Sequence, residues 1–131
     1  MQTPGVQLRL LLADGKTFGP GKADLLTLIQ SLGSIAAAGR QMKMSYKRAW
    51  GLVEEMNASF RSPLITTERG GHARGGAHVT DLGASVLARY RLLETRLQQQ
   101  GDPDLQFFSD HLARPDAALP SGESAVMFSE T

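Results

Sequence analysis

The segment from Gly33 to Phe60, GSIAAAGRQMKMSYKRAWGLVEEMNASF, constrains the fold more than any other part of the chain. It predicts two helices joined by a very short turn, the first short and alanine-rich, the second beginning at Ser45–Arg48. The small side chains of Ala36–Gly39 allow a partner helix to approach closely, as a tight helix-turn-helix crossing requires. A second helix with a polar, basic N-terminus is typical of proteins that insert a helix into the DNA major groove.

Serine residues mark the predicted start of both helices. Ser34 is placed to cap the first helix, over roughly residues 34–42, and Ser45 the second, because a serine hydroxyl accepts a hydrogen bond from an unpaired backbone N–H. Lys43 and Met44 form the turn between them. The second helix has a predicted inward-facing stripe, which Phe60 closes. The stripe consists of Ala49, Leu52, Val53 and Met56.

Two elements are predicted before this pair. Val6–Leu12 reads as a strand, followed by a tight turn at Asp14-Gly15 and a short return strand at Thr17–Phe18. A first helix follows and ends at Gly33, because glycine is favoured just after a helix. Its apolar face recurs at helical spacing. That face comprises Leu25, Leu28, Ile29 and Leu32.

A glycine-rich hairpin is predicted after the helix pair, in the segment LITTERGGHARGGAHVT. Its loop holds four glycines and two arginines, Arg69 and Arg74, with His72 between them. Glycine lets a loop lie close to a DNA backbone, and arginine favours the negative potential of a narrow minor groove. The loop matches neither the P-loop nor the dinucleotide-binding fingerprint. The predicted fold is therefore mainly α with small β, a winged helix-turn-helix.

The last predicted helix, TDLGASVLARYRLLETRLQQQ, begins after a Thr80 cap and spans about 20 residues, or roughly 30 Å. It is longer than a three-helix core of this size can cover, and its apolar residues form a seam-like pattern. A dimer interface is one use for the excess, and packing on the N-terminal hairpin of the same chain is another; both stay open. The seam comprises Leu82, Val86, Tyr90, Leu93 and Leu97.

Charge divides the chain into two parts. Residues 1–100 carry 13 basic and 7 acidic residues, whereas residues 101–131 carry one basic and 6 acidic residues. This asymmetry is typical of a nucleic-acid-binding module with an acidic tail. We therefore predict a DNA-binding and dimerisation domain over 1–100 and a weakly ordered tail over 101–131, which is also a candidate for docking a protein partner.

Several functional classes are disfavoured by composition. The chain has no cysteine, and His72, His78 and His111 do not have metal-ligand spacing. No nucleophile–base arrangement or convergent carboxylate pair is visible, so we expect neither an enzyme nor a cofactor. The N-terminus lacks the features of a signal peptide, and no apolar run is long enough to span a bilayer. The expected location is the cytoplasm.

The predicted DNA contacts centre on residues 45–48, whose cationic donors suit phosphate or guanine in the major groove. Arg40 and Gln41 are placed to reach backbone phosphates. The alternative is that they are simply solvated polar residues at the end of a helix. Tyr46 has an alternative too, packing with Trp50, which we interpret as structural. The full predicted set is Ser34, Arg40, Gln41, Ser45, Tyr46, Lys47, Arg48, Arg69, His72 and Arg74.

These motifs resemble the N-terminal domain of the molybdate-responsive ModE regulators, over about residues 6–98. The matching elements are Phe18-Gly19-Pro20-Gly21, Gly33-Ser34-Ile35, Ser45 to Trp50, Glu55-Met56-Asn57, Gly70 to Ala77, and Val79-Thr80-Asp81-Leu82-Gly83. The resemblance implies a LysR-like winged helix that dimerises through its N-terminal strands and its long last helix. Lys43 departs from the pattern, because a glycine is easier to accommodate in the turn. So does the bulky His72-Ala73-Arg74 within the wing.

Full-length ModE proteins carry molybdate-binding domains after the DNA-binding part, and the chain ends before them. We therefore expect a dimeric regulator of transcription that binds double-stranded DNA, linked through its family to molybdenum homeostasis, without a bound cofactor. Two alternatives remain: a winged-helix module for protein interaction, and direct binding of an oxyanion such as molybdate at the dimer interface.

Overall fold

The computed structural model describes residues 4–68 and 76–113, which are mainly helical with two small antiparallel sheets. They belong to two compact units, one running from Val6 to Gln100 and one that contains the last helix. The elements in chain order are β1 (Leu10–Leu11), β2 (Thr17–Phe18), α1 (Pro20–Leu32), α2 (Ile35–Gln41), α3 (Tyr46–Ser59), β3 (Ile65–Thr67), β4 (Ala77–Val79), α4 (Asp81–Gln100) and α5 (Asp102–His111).

The first sheet pairs β1 with β2 through the predicted Asp-Gly turn. Asp14 and Gly15 both have positive φ, 57° and 75°. The Lys16 N–H donates to the Ala13 carbonyl at 3.2 Å, which closes the turn. Two successive left-handed residues are typical of hairpin turns, because their twist matches that of the paired strands. The sequence therefore predicted this turn correctly.

The predicted strand Val6–Leu12 was too long. Only the two residues of β1 pair, since β2 itself ends after two residues, where Gly19 caps α1 and Pro20 begins it. Proline suits the first turn of a helix, where its missing N–H would have no helical partner. The short return strand thus limits how much of the N-terminal segment can join the sheet.

Helix α1 ends where predicted, but its buried face differs in part from the predicted one. Gly33 has φ 69°, and its N–H donates to the Ile29 carbonyl at 2.8 Å. Leu32 is 44% exposed, so its assignment to the core was wrong. Leu26, which the predicted stripe omitted, is fully buried instead. The packing of α1 among its neighbours has rotated the buried face away from the C-terminal leucine.

The core lies between the four helices α1–α4 and the second sheet, and it includes Phe18 of β2. On α3, three of the four predicted inward residues are buried, whereas Leu52 is only half-buried. Trp50 and Phe60 are half-buried and pack against the edge of this core. The buried residues are Phe18, Ala23, Leu25, Leu26, Ile29, Ile35, Ala38, Ala49, Val53, Met56, Leu64, Ile65, Ala77, Leu87 and Tyr90.

Helix α4 begins at the predicted Thr80 cap, which also ties it to the chain before β3. The Thr80 hydroxyl accepts from the Gly83 N–H at 3.0 Å and donates to the Pro63 carbonyl at 2.8 Å. The Thr80 N–H donates to the Leu64 carbonyl at 2.8 Å. One residue thus caps the helix and anchors it.

Tyr90 lies in the core of its own chain rather than on an exposed seam. Only 1% of it is exposed, and its hydroxyl donates to the Leu8 carbonyl at 2.6 Å. Its ring packs edge-on against Phe18, with centroids 5.2 Å apart, and burial raises the pKa of the Tyr90 hydroxyl. This corrects the uniform seam predicted on α4: at Tyr90 the helix packs on the N-terminal hairpin, the alternative left open above.

Helix α5 occupies part of the segment predicted to be weakly ordered. Pro103 stands in its first turn, where proline is tolerated, together with Asp102 and Asp104. Acidic residues stabilise a helix N-terminus, and His111 lies in the last turn, where a cation is favoured. These local preferences explain the helix. The rest of the predicted tail, residues 114–131, lies outside the described residues.

Candidate nucleic-acid interface

The turn between α2 and α3 is tight because the last carbonyls of α2 are satisfied within it. The Met44 N–H donates to the Gly39 carbonyl and the Lys43 N–H to the Arg40 carbonyl, each at 3.0 Å. Lys43 itself has φ 59°. This is the hydrogen-bond pattern of a Schellman motif, with lysine at the left-handed position that glycine usually fills. The turn adopts the strained geometry that the sequence indicated.

Helices α2 and α3 approach each other closely at Gly39. A Cβ atom added there would lie 3.0 Å from the Cβ of Ala49. That distance is tighter than ordinary packing, so α2 accepts only a very small side chain at this point. The predicted close crossing of the two helices is therefore present.

Both predicted serine caps are formed. The Ser34 hydroxyl accepts from the Ala37 N–H at 3.0 Å, and the Ser45 hydroxyl accepts from the Arg48 N–H at 3.1 Å. Ser45 is exposed and Ser34 half-buried. Each hydroxyl keeps its own hydrogen for a further acceptor, because the cap uses only an oxygen lone pair.

Besides the exposed Ser45 cap, five of the predicted DNA-contacting side chains, and Lys43, lie around the N-terminal end of α3 and are exposed. Within residues 4–68 and 76–113, none of the four cations among them forms an ion pair. A cluster of exposed, unneutralised cations produces a positive potential that attracts phosphate. The exposed residues are Arg40, Gln41, Lys43, Tyr46, Lys47 and Arg48.

Glu55, which lies on the same face of α3 as Lys47, is partly neutralised by α1. The Lys22 Nζ lies 3.0 Å from the Glu55 carboxylate and donates to the Thr17 carbonyl at 2.8 Å. The Lys22 side chain is only 11% exposed, so this ion pair links α1 to α3 at the edge of the site. Beside it is an open cleft of about 320 Å³. Its lining residues are Ser45, Lys47, Arg48, Gly51, Leu52 and Glu55.

Tyr46 stacks on Trp50 and yet remains accessible. The ring centroids lie 6.3 Å apart with an interplanar angle of 19°, and Tyr46 is 43% exposed. The packing of Tyr46 on Trp50 is therefore present, and the rest of the Tyr46 side chain is open to solvent.

Asn57 holds the C-terminal end of α3 against β3, a role that its place in the motif Glu55-Met56-Asn57 did not predict. Its Oδ1 accepts from the N–H groups of Leu64 at 2.8 Å and Ile65 at 3.0 Å. Its Nδ2 donates to the Ile65 carbonyl at 3.0 Å. The only sequence signal for this role is an asparagine in the last turn of a helix shortly before a strand, which does not identify its partners.

The second sheet pairs β3 and β4 antiparallel, as the predicted hairpin requires, with Thr66 opposite His78. The Ala77 N–H donates to the Gly33 carbonyl at 3.0 Å, which joins β4 to the end of α1. Beyond the strands, Glu68 lies 3.0 Å from the His78 Nε2, and this hydrogen bond lowers the pKa of Glu68. The predicted loop contacts Arg69, His72 and Arg74 lie outside the described residues.

Two further findings concern the same described ranges. They contain no group of three or more histidine, cysteine or acidic side chains arranged to hold a metal ion. None of their helices is both long and apolar enough to cross a membrane.

Comparison with known proteins shows similarity to molybdenum-related regulators and binding proteins, whereas no family model matches the chain. The chain is 40% identical over 80 residues to the molybdenum-pterin-binding protein MopB of Rhodobacter capsulatus, covering 61% of this chain and 30% of MopB. It is 38% identical over 120 residues to MopA of the same organism, covering 92% of this chain and 44% of MopA.

A third relative is named a DNA-binding transcriptional regulator. The dual regulator ModE of Escherichia coli K12 is 35% identical over 81 residues, covering 62% of this chain and 30% of ModE. The chain spans less than half the length of each of these three relatives. The names of these relatives describe a transcriptional regulator and molybdenum-pterin-binding proteins.

Proposed function

We propose that this chain is a ModE-type regulator of transcription, linked to molybdenum, that binds double-stranded DNA through a winged helix-turn-helix. The similarity to ModE, MopA and MopB supports the family. The order of the elements supports the fold, because α2, a tight turn and α3 are followed by the β3–β4 hairpin. The proposal assigns α3 to the major groove and the hairpin to the adjacent backbone or minor groove.

One observation carries the proposal: the exposed cations at the N-terminal end of α3, none of which has an ion-pair partner among the described residues. Lys47 and Arg48 lie on its first turn, and Arg40 and Lys43 lie on the α2 side of the turn before it. In helix-turn-helix proteins the N-terminal residues of the second helix contact base edges, and the first helix crosses the backbone. The four cations thus stand where a duplex would present phosphates and guanine.

The domain assignments are part of the same proposal. Residues 1–100 would bind DNA and dimerise, and residues 101–131 would form the acidic tail. A twofold dimer favours a pseudo-palindromic operator whose half-sites lie about 34 Å, or a multiple of that, apart. A protein partner for the tail is a further prediction, which the exposed Phe107 and Phe108 on the acidic helix α5 support.

The direct test is the salt dependence of DNA binding by the double variant Lys47→Ala/Arg48→Ala. Fluorescence anisotropy would compare DNA upstream of the protein's own gene with a scrambled duplex at several salt concentrations. Each lost phosphate contact lowers the slope of log K against log salt by about 0.9, so the double variant should lose up to about two units. Its affinity should fall on both duplexes.

The matched control is Arg61→Ala/Arg89→Ala, which removes the same charge from exposed positions outside the α3 N-terminus. We expect a much smaller effect from it. Equal slopes and affinities for the parent and the Lys47/Arg48 variant would show that α3 does not face the duplex. If the two double variants lose equal DNA affinity and salt slope, the loss is explained by net charge and not by the position of Lys47 and Arg48.

A second candidate function is direct binding of a molybdenum oxyanion, which the names of MopA and MopB favour. Thermal unfolding in millimolar molybdate, with sulfate as the control, tests it. A ligand present at 100 times its Kd stabilises the folded state by about 2.7 kcal/mol. A rise in Tm with molybdate alone would support this candidate, whereas unchanged melting in both salts would exclude a site with a Kd of about 10 µM or tighter.

A further inference from the structure

Gly51 lies in the middle of α3 at a point where the chain's own packing does not call for glycine. A Cβ atom added there would meet nothing within 4 Å in the described part of the chain, apart from the neighbouring backbone of its own helix. Gly39 and Gly83 are different. A Cβ would lie 3.0 Å from a side chain at Gly39 and 2.4 Å from the Leu64 carbonyl oxygen at Gly83.

This glycine has a cost for the isolated protein. Glycine within a helix is less stable than alanine, because the unfolded chain has more conformational freedom to lose. At Gly39 and Gly83 close packing explains the residue. At Gly51 an alanine would fit and would stabilise the helix, so no packing contact within the described residues requires a glycine in this open space.

The surroundings of Gly51 indicate what would use that space. It lies one helical turn after Lys47 and one turn before Glu55, because residues four apart share a face. All three line the open 320 Å³ cleft together with Arg48 and Leu52. The cleft therefore offers cationic donors at one end, a half-buried leucine beside the glycine, and a carboxylate acceptor at the other end. This mixture matches a base-pair edge, which presents acceptors, donors and methyl groups.

We propose that Gly51 is a specificity-determining position, at which the missing side chain lets α3 come close enough for its neighbours to contact base edges in the major groove. The inference rests on the proposed DNA-binding function. It adds that residue 51 faces the base edges and not the phosphate backbone. Long lysine and arginine side chains can reach phosphates over a range of helix positions. Hydrogen bonds to bases need donor–acceptor distances near 3 Å, so a bulky residue 51 would disturb base contacts first.

The experiment uses the full chain and a duplex selected by the parent protein from a random pool, with a scrambled duplex for comparison. Gly51→Ala and Gly51→Leu are measured by anisotropy at several salt concentrations, and their Tm values are recorded. We expect both to melt at or above the parental Tm. Gly51→Leu should bind the selected duplex at least tenfold more weakly, with little change on the scrambled duplex and an unchanged salt slope. Gly51→Ala should show a smaller loss in the same direction.

The control is Gly21, which also has no atom within 4 Å of an added Cβ but lies on α1. Gly21→Ala and Gly21→Leu should leave the preference for the selected duplex unchanged. If Gly51→Leu is unfolded, Gly51→Ala is the test instead. The inference then requires that Gly51→Ala reduce the preference for the selected over the scrambled duplex.

Three results would overturn the inference. A folded Gly51→Leu with the full parental preference removes any role in specificity, and DNA binding would still stand if Lys47→Ala/Arg48→Ala were impaired. Equal losses on both duplexes would assign Gly51 to the backbone instead of the bases. A parent that selects no sequence and binds duplex without a salt dependence would overturn the proposed function itself.

Discussion

Asn57 illustrates how much of the candidate site depends on single polar side chains. Its amide group makes three hydrogen bonds to the backbone of Leu64 and Ile65. These bonds join the end of α3 to the strand that leads into the hairpin. The relative position of the two proposed DNA-binding elements therefore depends on Asn57, although Asn57 is not itself among the predicted DNA contacts.

We predict that Asn57→Ala lowers the free energy of unfolding by about 2–4 kcal/mol, because it leaves backbone groups without their partners. Asn57→Asp keeps the two accepted hydrogen bonds but turns a carboxylate oxygen toward the Ile65 carbonyl, so it should be destabilised as well. Urea denaturation followed by circular dichroism measures both. An alanine variant as stable as the parent would show that water replaces the amide without loss.

The caps and the role of Asn57 differ in how far the sequence predicts them. Ser34, Ser45 and Thr80 bond to N–H groups three residues ahead, so their role follows from local sequence. Gly33 ends α1 for an equally local reason. Asn57 bonds to residues seven and eight positions away, across a loop whose path depends on the packing of β3. That packing is not readable from the local sequence.

At the scale of elements, the contact between α4 and the segment leading into β3 is the tightest described at any glycine. An added Cβ at Gly83 would lie 2.4 Å from the Leu64 carbonyl oxygen and 2.8 Å from Val79 Cγ1. The first turn of α4 thus lies directly on the backbone of its neighbour. Real side chains do not occupy such distances, so one of the two elements would have to move.

Gly83→Ala should therefore destabilise the fold by about 1–3 kcal/mol, the range found for overpacked interiors. Gly21→Ala is the control on an open helix position, where we expect a gain of about 0.5–1 kcal/mol from helix propensity. Thermal unfolding of the two variants beside the parent gives opposite signs if the contact is as close as described. A stabilised Gly83→Ala would contradict the close contact.

At the scale of the whole molecule, the proposed dimerisation surface is the predicted apolar seam of α4 without Tyr90, which is buried in its own chain. Leu82, Leu93 and Leu97 are between 36% and 40% exposed, and Val86 is half-buried against the core. Apolar side chains that recur on one side of a long helix commonly pair with a second helix. A dimer would also present two copies of α3 to one duplex.

Leu93→Gln/Leu97→Gln should convert a dimer into a monomer at micromolar concentration, measured by sedimentation velocity. Binding to a palindromic duplex should weaken with it, because the second half-site no longer contributes. The control is Leu32→Gln, at a leucine on α1 with 44% exposure. A double variant that remains dimeric, or a parent that is monomeric at the same concentration, would exclude this surface.

The sequence by itself determined the local features: the Asp-Gly turn, the ends of the helices, their caps, and the short turn between α2 and α3. Each depends on residues only a few positions apart, and their backbone preferences act over the same range. The sequence also predicted that the cations around the α3 N-terminus are exposed, because charged side chains outside the apolar stripe of a helix face solvent.

Only the tertiary structure decided which part of each apolar face became core. Leu26 is buried and Leu32 is exposed on α1, and Tyr90 turns inward on α4 while Leu93 stays at the surface. Periodicity marks a broad apolar face, but the angle at which neighbouring helices pack selects the part that loses water. That angle is set by contacts between residues far apart in the chain, such as the one from the Tyr90 hydroxyl to the Leu8 carbonyl.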